Sequence, residues 1–154
     1  MSIAAALAPQ IEQFIHDHLQ GVLTSFRRNG MPHMSIVTVS RRDGGVWISI
    51  TENRIKFKNL LRALRCSVLI SHADWWSGFL VFEGTAELTH SGNTDPKTLR
   101  RARRHIFSAT TRQRSTDWDE YDRITDADKR VAMVLRPDHV YGSALAHMRA
   151  ARAH

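Results

Sequence analysis

Between Thr51 and Leu60 the chain reads Thr-Glu-Asn-Arg-Ile-Lys-Phe-Lys-Asn-Leu, so a hydroxyl, an amide and the basic side chains Arg54, Lys56 and Lys58 gather where a hydrophobic strand gives way to a helix. A helix start offers unpaired backbone N–H groups and the positive end of the macrodipole, and lysine and arginine added there make an anion site. The chemistry this predicts is the holding of a phosphate-bearing ligand. On these residues alone a solvated, merely basic amphipathic helix stays open as the alternative.

Other reactive side chains are sparse. Cys66 is the only cysteine, which excludes an intrachain disulfide and a multi-cysteine metal site and agrees with a reducing compartment, so a cytoplasmic location is expected. At the head of Cys66-Ser-Val-Leu-Ile it reads as a packed small residue, not a nucleophile. Nine histidines invite a metal site. However, His16 and His18 stand two apart on a helix, and His33, His72, His90, His105 and His139 fall in separate elements, so no metal is expected. His33, beside Pro32, suits either a turn or proton donation to a reduced substrate. Trp75 and Trp76 suit either dimer packing or the lining of a partner's pocket, and Glu83 either an outward position or an acid.

Charge narrows the partners to anions. Twenty-two Lys plus Arg against fifteen Asp plus Glu leave +7, without choosing between nucleic acid, a phosphorylated cofactor and acidic lipid. The run Lys97, Arg100, Arg101, Arg103, Arg104, followed by Arg112 and Arg114, raises nucleic-acid binding. It has no glycine-flanked aromatic motif, no helix-turn-helix and no interleaved aromatics, so nucleic acid is not expected as the partner.

The elements that must position these residues follow from periodicity. A chain of 154 residues fits one domain, residues 1–154, and no apolar run approaches the roughly 18 residues that span a bilayer. The N-terminus carries no positive region ahead of an apolar stretch and does not read as a secretory signal. Residues 9–19 set Ile11, Phe14, Ile15 and Leu19 on one helical stripe. Val22–Phe26 and Met34–Val39 form a hairpin closed at Asn29-Gly30, and a turn at Asp43-Gly44-Gly45 leads to Val46–Thr51. Asn53 is the expected N-cap of a helix of about twelve residues with Phe57, Leu60, Leu61 and Leu64 as its buried stripe. Strands follow at Cys66–Ser71 and Phe79–Leu88, then a basic helix at 93–108, a loop at 109–117 and a short helix at Trp118–Ala127. The expected end is a pair of strands, Val131–Arg136 and His139–Gly142, around a Pro137 turn, with a basic tail at 143–154. Six to seven mostly antiparallel strands with flanking helices predict a mainly β protein, a small barrel with helices over its openings. Such a barrel leaves sheet edges and apolar faces uncovered, and a homodimer is expected.

The order of motifs resembles one family. Gly21-Val-Leu-Thr-Ser-Phe-Arg-Arg-Asn-Gly-Met-Pro-His33 is similar to the opening of the pyridoxamine 5'-phosphate oxidase-like split β-barrel flavoproteins, and Thr51-x4-Lys56-x2-Asn59-Leu60 before Arg65-Cys-Ser-Val-Leu-Ile70 resembles their phosphate-binding signature. Val81-Phe-Glu-Gly-Thr-Ala-Glu-Leu88 resembles their long strand, and Leu135-Arg-Pro-Asp-His-Val-Tyr-Gly142 their closing strands. Within the family the pattern is most similar to the actinobacterial deazaflavin-dependent branch, which binds coenzyme F420, with FMN as the alternative cofactor and a haem-related member of the fold as a further one. The resemblance implies a split β-barrel and a homodimer with two cofactor sites at its interface. It also implies an oxidoreductase, a reductase passing hydride to an electron-poor conjugated small molecule. Thr51, Lys56 and Asn59 would hold the phosphate with Lys58 as a second charge; Ser35, Val37, Thr38 and Ile50 would lie against the ring. The cofactor carries the hydride chemistry in such proteins, so no catalytic triad or paired carboxylate is required.

Overall fold

The computed structural model describes residues 6–111 and 116–154. Helix α1 (Ala8–Asp17) precedes β1 (Gln20–Phe26), β2 (Pro32–Arg42) and β3 (Gly45–Thr51); α2 (Ile55–Arg62) leads to β4 (Arg65–Ser71), a 3-10 turn at Trp75–Ser77, and β5 (Phe79–Thr89). Helices α3 (Pro96–Thr111) and α4 (Trp118–Ala127) precede the last strand, β6 (Arg130–Tyr141), and α5 (Ser143–Arg152). The strands close in the order β1-β2-β3-β6-β5-β4, every pairing antiparallel. This is the split β-barrel architecture with flanking helices that the strand pattern predicts.

Alternation builds the interior. Leu23, Val39, Ile48, Ile50, Val68, Ile70, Leu80, Phe82, Met133 and Leu135 point inward and are almost wholly buried, because successive strand residues face opposite sides. Ile11 and Ile15 of α1, Phe57 and Leu60 of α2, and Ala144 and Leu145 of α5 join the same core. Helix α3 packs on the outer side, against β2, β3 and β6. The Asp43-Gly44 turn has φ of 50° and 76° at its two central residues, the conformation that a two-residue hairpin with right-twisted strands demands.

Three expectations need correction. The two closing strands are one, because β6 runs through Pro137. Pro137 pairs with Gly84 at a register shift, where its missing N–H breaks no ladder. Gly84 is obligatory there, since a Cβ on it would stand 2.0 Å from the carbonyl oxygen of Arg136. Second, Asn53 does not cap α2. Its Oδ1 accepts from the Thr51 hydroxyl at 2.8 Å, and Arg54 occupies the N-cap position in an extended conformation with no side-chain cap. Third, α2 has eight residues, because Ala63 turns extended and the carbonyl of Leu64 already accepts from Ala86 N–H. Leu61 and Leu64 are therefore exposed, and Asn59 takes the buried place beside Leu60.

Candidate functional site

Barrel closure between β2 and β3 is partial. The two strands pair only from Val39 to Arg42 against Gly45 to Ile48. Before Val39, β2 pairs with β1 alone, and after Ile48, β3 pairs with β6 alone, so the wall parts between them. Main-chain groups of a strand alternate from side to side. Counting back from the turn-flanking pair Arg42–Gly45, the N–H and C=O of Met34 and Ile36 and the N–H of Thr38 point into the gap without a strand partner among the described residues, while the Thr38 carbonyl takes the last bond of the ladder, from Ser49 N–H, beside the Val39–Ile48 pair.

A cleft of about 1090 Å³ occupies this split. Ser35, Ile36, Val37 and Thr38 of β2 and Ser49, Ile50 and Thr51 of β3 form its two edges. Arg54, Ile55 and Lys56 form its head at the start of α2, and Ile106, Phe107, Tyr121 and Ile124 of α3 and α4 its outer wall. Arg130 adds a third cation, as the register sets it directly opposite Thr51. Lys56 reaches across from α2 so that its Nζ donates to Ser35 Oγ at 3.4 Å. Its pKa is lowered from 10.5, first by burial and then by the neighbouring Arg54 and Arg130. No ion pair of Lys56 or Arg54 with a carboxylate occurs among the described residues; Arg130 has Asp128 at 3.9 Å. The head of the cleft thus gathers three cations beside an uncapped helix start, an arrangement that an anion would relieve.

The sequence-derived site residues divide. Ser35, Val37, Thr38, Ile50, Thr51 and Lys56 come together in the cleft. Lys58 and Asn59 lie instead on the far flank of α2, in a shallow groove of about 650 Å³ with Arg28, Leu61 and Arg62, which meets the cleft at Ile55. Asn59 is buried there and engaged at both ends: its Nδ2 donates to Ser25 Oγ at 3.2 Å and its Oδ1 accepts from Arg62 Nη2 at 3.2 Å. Burial of Asn59 was not legible because the expected leucine stripe occupied the same face. Ser49, Arg130, Phe107 and Tyr121 were missed altogether, although Arg130 heads a strand whose pairing with β3 would have brought it to Thr51.

The basic helix has a structural use. Arg103 is 3% exposed and donates from Nε to the carbonyl of Arg130 at 2.8 Å, while Asp126 of α4 receives both Arg103 and Arg100. Arg104 pairs with Asp122 and stacks over Trp118. Three of the seven basic residues that suggested nucleic-acid binding, Arg100, Arg103 and Arg104, are therefore spent on joining α3 to α4; Arg112 and Arg114 lie outside the described residues. Tyr121 belongs to this seam, its hydroxyl donating to the Arg103 carbonyl at 3.0 Å and its pKa raised by burial. Cys66 is buried, and burial pushes its thiol up to about 12, far from a reactive thiolate. His33 lines the cleft with its Nδ1 buried and unpartnered among the described residues.

Comparison with known structures gives the same architecture. A conserved hypothetical protein from Mycobacterium tuberculosis superimposes with a TM-score of 0.70 at 23% identity, over 87% of this chain and 82% of that one. A Listeria innocua protein provisionally described as a pyridoxamine 5'-phosphate oxidase gives 0.65 at 20% identity, over 89% and 98%. A protein described as an F420 reductase gives 0.64 at 19% identity, over 84% and 94%. Residues 7–144 match the sequence profile of the pyridoxamine 5'-phosphate oxidase family, and the chain belongs to that family.

Proposed function

We propose that the chain is a homodimeric oxidoreductase of the cytoplasm that holds a phosphate-bearing flavin-type cofactor in the β2–β3 split, with coenzyme F420 as that cofactor. The observation that carries this reading is Lys56: a half-buried ammonium among like charges, facing a long cleft whose remaining walls are chiefly apolar and hydroxyl-bearing, with His33, Asn53 and Asp128 as the other polar groups. That combination suits a flat ring with an anionic tail. Lys56, Thr51 and Arg54 hold the phosphate, with Arg130 as a further charge. Ser35, Val37, Thr38 and Ile50 flank the ring, whose polar edge takes up the unpaired main-chain groups of β2. When bound, the cofactor supplies the hydride; the chain orients it, keeps water from the cleft and leaves an acceptor face against Phe107 and Ile124.

F420 is favoured over FMN by the groove that continues past Ile55. Arg28, Lys58 and Arg62 line it with no carboxylate among its lining residues, so it suits a ligand with further negative charges beyond its phosphate. Lys58 then serves the tail, and Asn59 serves the phosphate site indirectly, by fastening α2 to β1. FMN ends at its phosphate and leaves this groove unused. Titrating the purified protein with F420 and with FMN, each followed by fluorescence, tests the choice: tighter F420 binding is expected, and micromolar FMN binding without F420 binding would overturn it.

The homodimer is supported by an apolar row that crosses the outer wall in strict register. Ile36 pairs with Val22, Val22 with Leu69, Leu69 with Val81 and Val81 with Tyr141. Ile36 is 81% exposed at one end of the row and Tyr141 45% at the other. A self-complementary two-fold contact covers such a row with a second copy of itself.

A further inference from the structure

At the end of α1, His18 meets the connection between β4 and β5. Its ring stands 4.5 Å from that of Phe14 and 4.7 Å from that of His72, centroid to centroid. His72 in turn organises the residues that follow it. Its Nδ1 accepts the backbone N–H of Asp74 at 3.1 Å, and its own N–H donates to the carbonyl of Gly78 at 3.0 Å. Asp74 then caps the 3-10 turn, accepting from Trp76 N–H at 3.3 Å and from the Ser77 hydroxyl at 2.6 Å. One imidazole acceptor thus stands at the root of a turn that presents Trp75 and Trp76, which are 82% and 96% exposed.

An imidazole that accepts at Nδ1 carries its proton on Nε2. A second proton has only Nδ1 to occupy, and there it converts the acceptor into a donor aimed at the Asp74 N–H. We infer that His72 is a pH-operated latch: its neutral ring holds the Trp75–Trp76 turn in the observed conformation, and its protonation releases the turn.

The surroundings work in the same direction. α1 presents His18 and Asp17, the turn presents Asp74, and α5 presents His147, whose Nδ1 lies 3.5 Å from the place of a Cβ on Gly78. Both carboxylates are already engaged, Asp17 with Gln13 and His16 and Asp74 with the turn. Imidazoles therefore dominate the base of the turn. His18 has its pKa lowered from 6.5, by burial first and His72 second, with Asp17 opposing. A folded-state value below the unfolded one means that its contribution is fully present above the unfolded pKa and is lost as pH falls through the lowered value. A charged His18 beside a charged His72 adds repulsion, so acid opens the latch from both sides.

Backbone ¹H–¹⁵N NMR of the full chain between about pH 8 and pH 5 reads the latch directly. The amides of Asp74, Trp76 and Ser77 are expected to titrate together with the His72 ring and to lose heteronuclear NOE at the acidic end. His72→Asn sets a carbonyl oxygen near the position of Nδ1 that accepts but takes up no proton, and there the turn stays ordered throughout. His18→Gln removes the neighbouring imidazole and leaves the acceptor, so there the turn still loosens in acid. A wild-type turn that keeps its order down to pH 5 overturns the latch. So does a His72→Asn turn that loosens over the wild-type range, or a His18→Gln turn that stays ordered at pH 5.

Discussion

Replacing Lys56 by methionine separates a binding role from a packing role, because methionine keeps the aliphatic stem and removes only the charge. In the proposed complex the ammonium makes a charge-assisted hydrogen bond to the phosphate, which contributes about 1.5–3 kcal/mol. At about 1.4 kcal/mol per tenfold, the dissociation constant should rise by roughly 10- to 150-fold. Arg54 and Arg130 remain, so binding is weakened and not abolished. In the free protein the sign reverses. The lowered pKa of Lys56 means that its charged form is disfavoured on folding, by burial first and by Arg54 and Arg130 after it. That cost is absent only well above pH 10.5 and is fully present at neutral pH, so Lys56→Met should leave the melting temperature unchanged or raise it. A rise of about 2–4 °C corresponds to about 1 kcal/mol in a domain of this size. Fluorescence titration with F420 and with FMN at two salt concentrations, beside a thermal melt, reads both quantities. Binding to the variant should also depend less on salt. An affinity unchanged within a factor of two, together with a melting temperature lower by several degrees, would make Lys56 a structural residue and sink the anion site.

Three further perturbations probe the surrounding structure. Asn59→Ala strands the buried Ser25 hydroxyl and removes one of the two acceptors of Arg62, leaving the Phe26 carbonyl; it should cost about 1–3 kcal/mol in urea unfolding while ligand affinity changes by no more than a few-fold. Asp126 has its pKa lowered by Arg100 first, with Arg103 also lowering it and burial opposing, so its stabilisation is present above pH 3.8 and lost as pH falls through the depressed value. Asp126→Asn should therefore destabilise the protein at pH 7 and flatten its acid unfolding below about pH 4 by circular dichroism, and an acid limb identical to wild type would exclude the α3–α4 seam as a cause. Ile36→Glu places a charge at the most exposed end of the outer apolar row and should convert the proposed dimer to a folded monomer in sedimentation, with an unaltered circular dichroism spectrum.

What the sequence made legible follows from which interactions are local. Strand alternation at Val46, Ile48 and Ile50 and the Asp43-Gly44 turn are properties of a few neighbouring residues, and each lies where its pattern predicts. Asn53 misled because an N-cap is defined by where its side chain turns, and the nearby Thr51 hydroxyl competes for it. Pro137 misled because proline normally ends a ladder; its tolerance depends on Gly84, 53 residues away in sequence and opposite it across the bulge. The site shows the same division. Lys56 and Thr51 belong to a local motif, whereas Arg130 and the wall of α3 and α4 arrive through β3–β6 pairing and a salt-bridged helix pair. Arginines on α3 read as surplus charge until their carboxylates on α4 are seen beside them.

The split itself has a thermodynamic consequence. The main-chain groups of Met34 and Ile36 and the N–H of Thr38, which lack a strand partner, must be satisfied by water or by a ligand, since an unmade buried hydrogen bond costs about 1–3 kcal/mol. A ligand seated between the two edges replaces the missing strand, so binding and local order should rise together. At a concentration 100-fold above its dissociation constant it should stabilise the fold by about 2.7 kcal/mol. Native-state hydrogen exchange can locate that gain. In the free protein the amides of Ile36 and Thr38 should exchange faster than those of Val37 and Val39, which point toward β1. Bound cofactor should slow the first group selectively. Protection confined to the start of α2, with β2 unchanged, would mean that the ligand is held by its phosphate alone and that the ring lies outside the split.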